Sequence, residues 1–396
     1  MAKIDTYKKQ IKKYKNKLIK QDVVKNIFEK STELVKLTKE GQKYLKKLPV
    51  NEKKIITEHI KNIKYKYKTL ERLFKKKEKR KAIDKFFYSF DELPILGKEY
   101  WFMKFISEGG SKTQFFFMFG RTTGDMTLNG KYIKDKQLGP NKYNGYSVGW
   151  GYDNKQKSIV NDLGSIEISD NKINIENGSV SSYFSGTFPK YNLKVSKNNK
   201  EICNLKITEP KDKSLKFEFC EYHKAFFGYD LINLYFDFEG KLFNKKFKGK
   251  CYIQKVVAVG PFIPWRWARV IFKNKSVLTY FEINPEIFGL KYNKCLSYYD
   301  SVSKKTYDYL DMDIHDFPGS DGKVRWIVES KKNDLYICMK TYGKEVFDFK
   351  RKGNFIYIEY LVEVTDLSLK INNKNIGLKN VGRGVGIVED TRGYVI

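Results

Sequence analysis

The chain changes its hydrophobic rhythm once, near residue 90. Before that point apolar positions recur every three or four residues: Ile4, Tyr7, Ile11, Tyr14 and Leu18, then Ile56, Ile60, Ile63, Tyr67, Leu70 and Phe74. That spacing is the seam of two packed helices. A shorter amphipathic run, Val24, Ile27, Phe28, Leu34 and Val35, lies between them and stops near Gly41 and Leu48-Pro49, and Asn51 is placed to cap a new helix. The pattern predicts an α-helical hairpin or coiled-coil arm over residues 1–88, with Phe86-Phe-Tyr-Ser-Phe90 packing its end onto the body.

Beyond residue 90 the period falls to two. Trp101–Ile106, Gln114–Phe119, Gly145–Trp150, Lys172–Ile175, Val180–Phe188, Ile202–Ile207 and Leu215–Phe219 read as strands, separated by turn pairs such as Asn129-Gly130 and Asn177-Gly178. These predict a first antiparallel barrel over residues 89–225. A second set, from Leu231 through Val277–Ile283, Val324–Val328, Leu335–Met339 and Phe355–Val364 to the glycine-rich end at Val381–Asp390, predicts another over residues 226–396. The expected fold is mainly β, two antiparallel barrels in tandem after a helical arm. Barrels of about eight strands or more can hold one small apolar ligand.

The most particular stretch runs from Gly249 to Phe272. Two apolar runs, Cys251–Val259 and Arg266–Phe272, flank a Gly260-Pro…Pro264 corner that cannot be helical. Strand alternation sends Trp265 and Trp267 to one face and Arg266 to the other. Tyr252-Ile-Gln254-Lys255, Gly260, Pro264, Trp265 and Trp267 resemble the signature of the carotenoid hydratase, AttH-like and tocopherol cyclase group, and Glu99-Tyr100-Trp101-Phe102 resembles the opening of that group's first barrel. The resemblance spans about residues 90–396 and implies two lipocalin-like barrels that bind an isoprenoid or other apolar lipid-like ligand. It also implies hydration, cyclisation or isomerisation without a cofactor. The chain departs from the signature at Gln254, where the group has an acid, and at Val259, where it has Trp. Those departures leave a carrier role open beside a catalytic one.

Charge separates the arm from the body. Of the formal net charge of +31, +19 lies in residues 1–85, where 29 Lys and Arg face 10 Asp and Glu. A field of this kind draws the chain to an anionic membrane surface through residues 1–85, or to nucleic acid, with Lys64-Tyr65-Lys66-Tyr67-Lys68 able to stack on a single strand. An ordinary solvated coiled-coil face explains the same lysines. No apolar run is long enough to span a bilayer and the N-terminus has no secretory apolar core, so the expectation is a cytoplasmic, membrane-peripheral protein. The five cysteines, odd in number and widely spaced, show neither a disulfide nor a zinc framework.

Protonating an alkene needs a desolvated acid aimed at the double bond. By motif position Glu99 is the candidate acid, with Gln254 to orient an oxygen and Glu282 as a second carboxylate. Tyr100, Trp101, Tyr252, Trp265 and Trp267 are the candidate ligand-binding wall, able to stabilise a carbocation by cation–π attraction of ~0.5–2 kcal/mol. Barrel core is the plain alternative for every one of these aromatics. Asp311, Asp313 and His315 alternate as metal ligands would, yet edge-strand charge accounts for them equally, and no metal or cofactor is expected.

Overall fold

The structure, a computed structural model, describes residues 79–395, with short omissions at 94–95, 211–216, 225–226, 261, 263, 284–293, 331, 352 and 372–373. The predicted arm, and with it the expected membrane or nucleic-acid contacts, lies outside the described residues except for its last helical turns, Lys79–Phe87. That helix enters the first barrel. Ala82, Ile83, Phe86 and Phe87 are buried, the last three in the barrel's hydrophobic core beside Trp101, Phe105 and Phe184.

Ten antiparallel strands close the first barrel. In order they are Lys200–Thr208, Lys190–Lys197, Val180–Thr187, Lys172–Asn177, Lys155–Ser169, Lys142–Asp153, Gln114–Thr122, Gly97–Ser107, Lys245–Val259 and Phe227–Leu242. The last pairs back onto the first, with Phe238 opposite Ile207. The second sheet runs Lys305–Tyr309, Cys295–Asp300, Val277–Ile283, Trp265–Phe272, Gly384–Val395, Gly353–Ile371, Leu335–Arg351, Val324–Ser330 and Asp313–Pro318, and wraps its own core around Trp326, Tyr280, Tyr298 and Val362. The chain is therefore mainly β, as its alternation predicts, and both sheets belong to one compact unit.

The seam lies elsewhere than the sequence suggests. Phe227–Leu242 and Lys245–Val259, read above as the start of the second barrel, hydrogen-bond into the first sheet along most of their length. The crossover is the Gly260–Pro264 corner itself, so the two signature strands belong to different sheets. Gly260 takes a φ of 120°, open to glycine and strained for other residues, which lets the chain turn between layers. A hairpin with positive φ at Phe243 and Asn244 joins Phe227–Leu242 to Lys245–Val259.

The two sheets meet face to face. All nine residues of Gln114–Thr122 are buried, because the barrel core covers one face and the second sheet covers the other. A third apolar cluster fills this contact: Phe102, Phe116, Val148, Trp150 and Tyr252 from the first sheet meet Trp267, Phe347, Phe355, Tyr357, Leu361 and Ile387 from the second. The short hairpin Met126–Leu128 and Lys131–Ile133 leaves the first barrel's chain and pairs with the second sheet through Leu128 and Phe349.

Candidate functional site

The strands that form the contact bring unlike residues to it in rows. On the first sheet the row reads Trp150, Phe116, Lys104, Tyr252 and Tyr235, each the cross-strand partner of the next. On the second it reads Phe281, Trp267, Glu389 and Glu359. Glu359 and Glu389 are thus directly opposed on neighbouring strands and point the same way, and both are buried, at 0% and 5% exposure. Like charges in directly opposed positions repel, and burial makes the repulsion stronger.

Three donors point at the pair. Trp150 Nε1 donates to Glu359 Oε2 (2.6 Å), Tyr357 OH to Glu359 Oε1 (3.2 Å) and Trp265 Nε1 to Glu389 Oε2 (2.8 Å). Burial pushes the Glu359 carboxyl up to about 7 against the pull of the Lys104 ammonium. Glu389 rises to about 8, first through burial and then through the charge of Glu359. Lys104, 1% exposed, is within electrostatic reach of both carboxyls, and burial brings it down to about 8. Its Nζ makes no hydrogen bond or ion pair among the described residues and lies 5.4 Å from the Trp150 ring and 5.8 Å from Phe116. Near neutral pH burial thus holds both carboxyls back from ionising, next to a desolvated ammonium.

Aromatic rings enclose this centre. Tyr252 and Trp267 lie 5.0 Å apart, and Phe102 meets them edge-on at 5.8 and 6.1 Å. Beyond Tyr252 a polar network begins. Gln254 Nε2 donates to the Asn233 side-chain oxygen and to Tyr252 OH, each at 2.8 Å, and Tyr252 OH donates to the same Asn233 oxygen.

Of the residues singled out from sequence, Tyr100, Tyr252, Trp265, Trp267 and Gln254 lie in this inter-sheet layer or at its polar margin. Four of the five aromatics of the expected wall therefore stand between the two sheets and not inside the closed barrel. Trp101 points the opposite way, into the first barrel, where its Nε1 donates to Phe87 O (3.1 Å) and its ring stacks on Phe119. Glu99 faces the same interior, ion-paired to Lys255 (2.8 Å) and Arg121 (2.9 Å). Glu282 lies on the core side of the second sheet, where Tyr280 OH donates to it and Lys294 is 3.9 Å away. The three candidate catalytic side chains thus occupy three separate places. Asp313 pairs with Lys294, and His315 lies 3.8 Å from Glu329; among the described residues no cluster of His, Cys, Asp or Glu is arranged to hold a metal.

Sequence reading passed over Lys104, Trp150, Glu359 and Glu389. A signal was there for two of the charges: Lys104 and Glu359 each stand alone in an otherwise apolar run, Trp101-Phe-Met-Lys104-Phe-Ile106 and Ile356-Tyr-Ile-Glu359-Tyr-Leu361, whereas Glu389 is followed directly by Asp390. A strand apolar on both faces is covered on both faces, so a lone charge within it is buried.

No protein-family model and no curated protein matches this sequence. Among solved structures the chain is similar to a protein assigned as an AttH from Nitrosomonas europaea, with TM-score 0.45 and 10% identity over 77% of this chain and 94% of that one. It is also similar to CghA, with TM-score 0.41 and 8% identity over 74% and 87%, and to kievitone hydratase from Nectria haematococca, with TM-score 0.37 and 8% identity over 74% and 88%.

Proposed function

We propose that this protein binds an apolar, lipid-like ligand, of isoprenoid or similar character, in the aromatic layer between its two sheets, and moves a proton on it without a cofactor. The observation that carries this reading is the opposed, buried pair Glu359 and Glu389. Opposing two carboxyls across adjacent buried strands is costly for folding and useful for chemistry. It keeps one of them protonated at neutral pH while its neighbour is free to accept a proton.

Glu389, with the higher affinity for its proton, serves as the acid. Its O–H bond breaks as a C–H bond forms at one alkene carbon, leaving a carbocation at the other. The faces of Trp267 and Tyr252 stabilise that cation. Glu359 then takes a proton from the adjacent carbon, which moves the double bond, or from an attacking water, which gives an alcohol. Lys104 and the indole N–H groups of Trp150 and Trp265 hold whichever carboxylate is charged.

Mass spectrometry of the organic extract of the purified protein is the direct test, followed by incubation of the molecule found there with wild-type protein, Glu389→Gln and Glu359→Gln. Each substitution is expected to lower the rate by about 100- to 10,000-fold with ligand binding retained. A protein that yields no apolar molecule and binds none would end this reading.

A further inference from the structure

The polar margin of the inter-sheet layer contains a cation that the described residues leave largely unanswered. Arg269 lies on the strand Trp265–Phe272, on the same face as Trp265 and Trp267, and is 8% exposed. Its guanidinium lies 4.7 Å from the Tyr235 ring centre and 5.9 Å from that of Tyr252. Nη1 donates to Thr279 Oγ1 (2.9 Å), and the group makes no other hydrogen bond or ion pair among the described residues. Glu218 is within its electrostatic reach but makes no ion pair with it. The Oε2 of Glu218 accepts instead from Tyr235 OH (2.9 Å) and Asn233 Nδ2 (3.3 Å).

A guanidinium has five N–H donors, and among the described residues only Nη1 is engaged. The Nε–Nη2 edge, the fork that grips a carboxylate through two parallel bonds, has no partner among the described residues. Stacked rings compensate part of the lost hydration, and a buried charge left with so few bonds remains costly. We propose that the free edge of Arg269 receives the carboxylate of the ligand, so that the substrate is an apolar chain or ring system carrying one acidic head. The inference rests on the inter-sheet layer being the ligand site. It also sets a length: Arg269 is two residues along its strand from Trp267, which is opposite Glu389, so head and reacting bond lie roughly 7 Å apart along the strand.

Calorimetric titration of the wild-type chain with dodecanoate and with dodecanol, matched in length and differing in the head, tests this. The acid is expected to bind about tenfold or more tightly than the alcohol. In Arg269→Met the two should become nearly equal through loss of acid affinity alone, and Arg269→Lys, which keeps the charge but not the fork, should fall between, with far-ultraviolet dichroism and melting confirming the fold of each. Equal binding of acid and alcohol by wild-type protein overturns the carboxylate assignment while leaving the inter-sheet site standing, and needs no variant. A preference that survives in a folded Arg269→Met overturns it as well. Binding of neither overturns both.

Discussion

Two neighbouring strands, Gly97–Ser107 and Lys245–Val259, together carry buried charge on both faces of their sheet, and the two faces treat it differently. Inside the first barrel, Glu99 receives Lys255 and Arg121, while the ammonium of Lys255 also donates to the backbone oxygens of Phe86 and Ser89 and the guanidinium of Arg121 to that of Asp91. Asp91 N completes the ring by donating to the Glu99 carboxylate. Every charge has an opposite partner, and the bonds fasten the segment after the helix Lys79–Phe87 to the barrel. On the outer face, Lys104 has no bonded partner among the described residues and faces two carboxyls that repel each other. The same residue types make a clamp in one place and an acid–base centre in the other. What separates them is pairing, because burial is nearly complete in both.

The largest test of that contrast is Glu99→Gln. Removing this carboxylate leaves Lys255 and Arg121 buried without their counter-charge and should cost about 3–5 kcal/mol of stability by chemical denaturation. Glu389→Gln, equally buried, should cost less than about 1 kcal/mol near neutral pH, since it removes a repulsion and an amide accepts the Trp265 N–H as a carboxyl does. Comparable losses in the two variants would erase the distinction between clamp and catalytic pair.

Acidity separates the faces next. The carboxyls of Glu359 and Glu389 are raised in the folded protein, so their contribution to stability is complete below about pH 4.5 and is lost as pH climbs through 7 and 8. Stability should fall steadily between about pH 4.5 and about pH 8, where the unfolded chain has lost these protons and the folded protein still holds them. Lys104, lowered to about 8, acts in the opposite sense and only at higher pH, its contribution being complete above the ordinary lysine value and lost as pH falls back toward 8. Unfolding midpoints measured from pH 5 to about 9 should therefore decline in wild-type protein and decline less steeply in Glu389→Gln, where the part due to Glu359 remains. A flat wild-type profile would mean that the pair is not protonated when folded.

Much of the architecture was legible from local rules, and the limits of legibility follow the same division between faces. Asn129-Gly130 was read as a hairpin, and both residues take the positive φ that such a two-residue turn requires. Alternation puts Trp265 and Trp267 on one face, as found, whereas Tyr100 and Trp101, grouped above in one wall, are adjacent in the strand and point to opposite faces. Alternation cannot say what covers a face. Ile356, Ile358, Tyr360, Val362 and Val364 form one side of the long strand Gly353–Ile371, facing the second sheet's own core, and Tyr357, Glu359 and Leu361 lie on the other side. They are buried because the first sheet lies over them, and no local rule carries that contact. The position of the seam was hidden for the same reason. A proline corner between two apolar strands looks alike whether it joins neighbours in one sheet or carries the chain into the next.

The smallest effect sharpens the catalytic side of the comparison. Trp150→Phe keeps an aromatic ring beside Lys104 and Phe116 and deletes the N–H that donates to Glu359. That bond favours the charged carboxylate, so its loss should raise the proton affinity of Glu359 further, by ~1 kcal/mol. Trp265 reports the change without touching Glu359, because its own indole N–H is bonded to Glu389, which senses the charge of Glu359. The fluorescence titration of Trp265, isolated by difference against Trp265→Phe, should have its midpoint displaced as Glu359 holds its proton to higher pH and stops repelling the ionised form of Glu389. With less repulsion Glu389 ionises more readily, so the Trp265 midpoint moves down while that of Glu359 moves up. Opposite displacements are the mark of two carboxyls sharing one proton; two independent acids would leave Trp265 where it was.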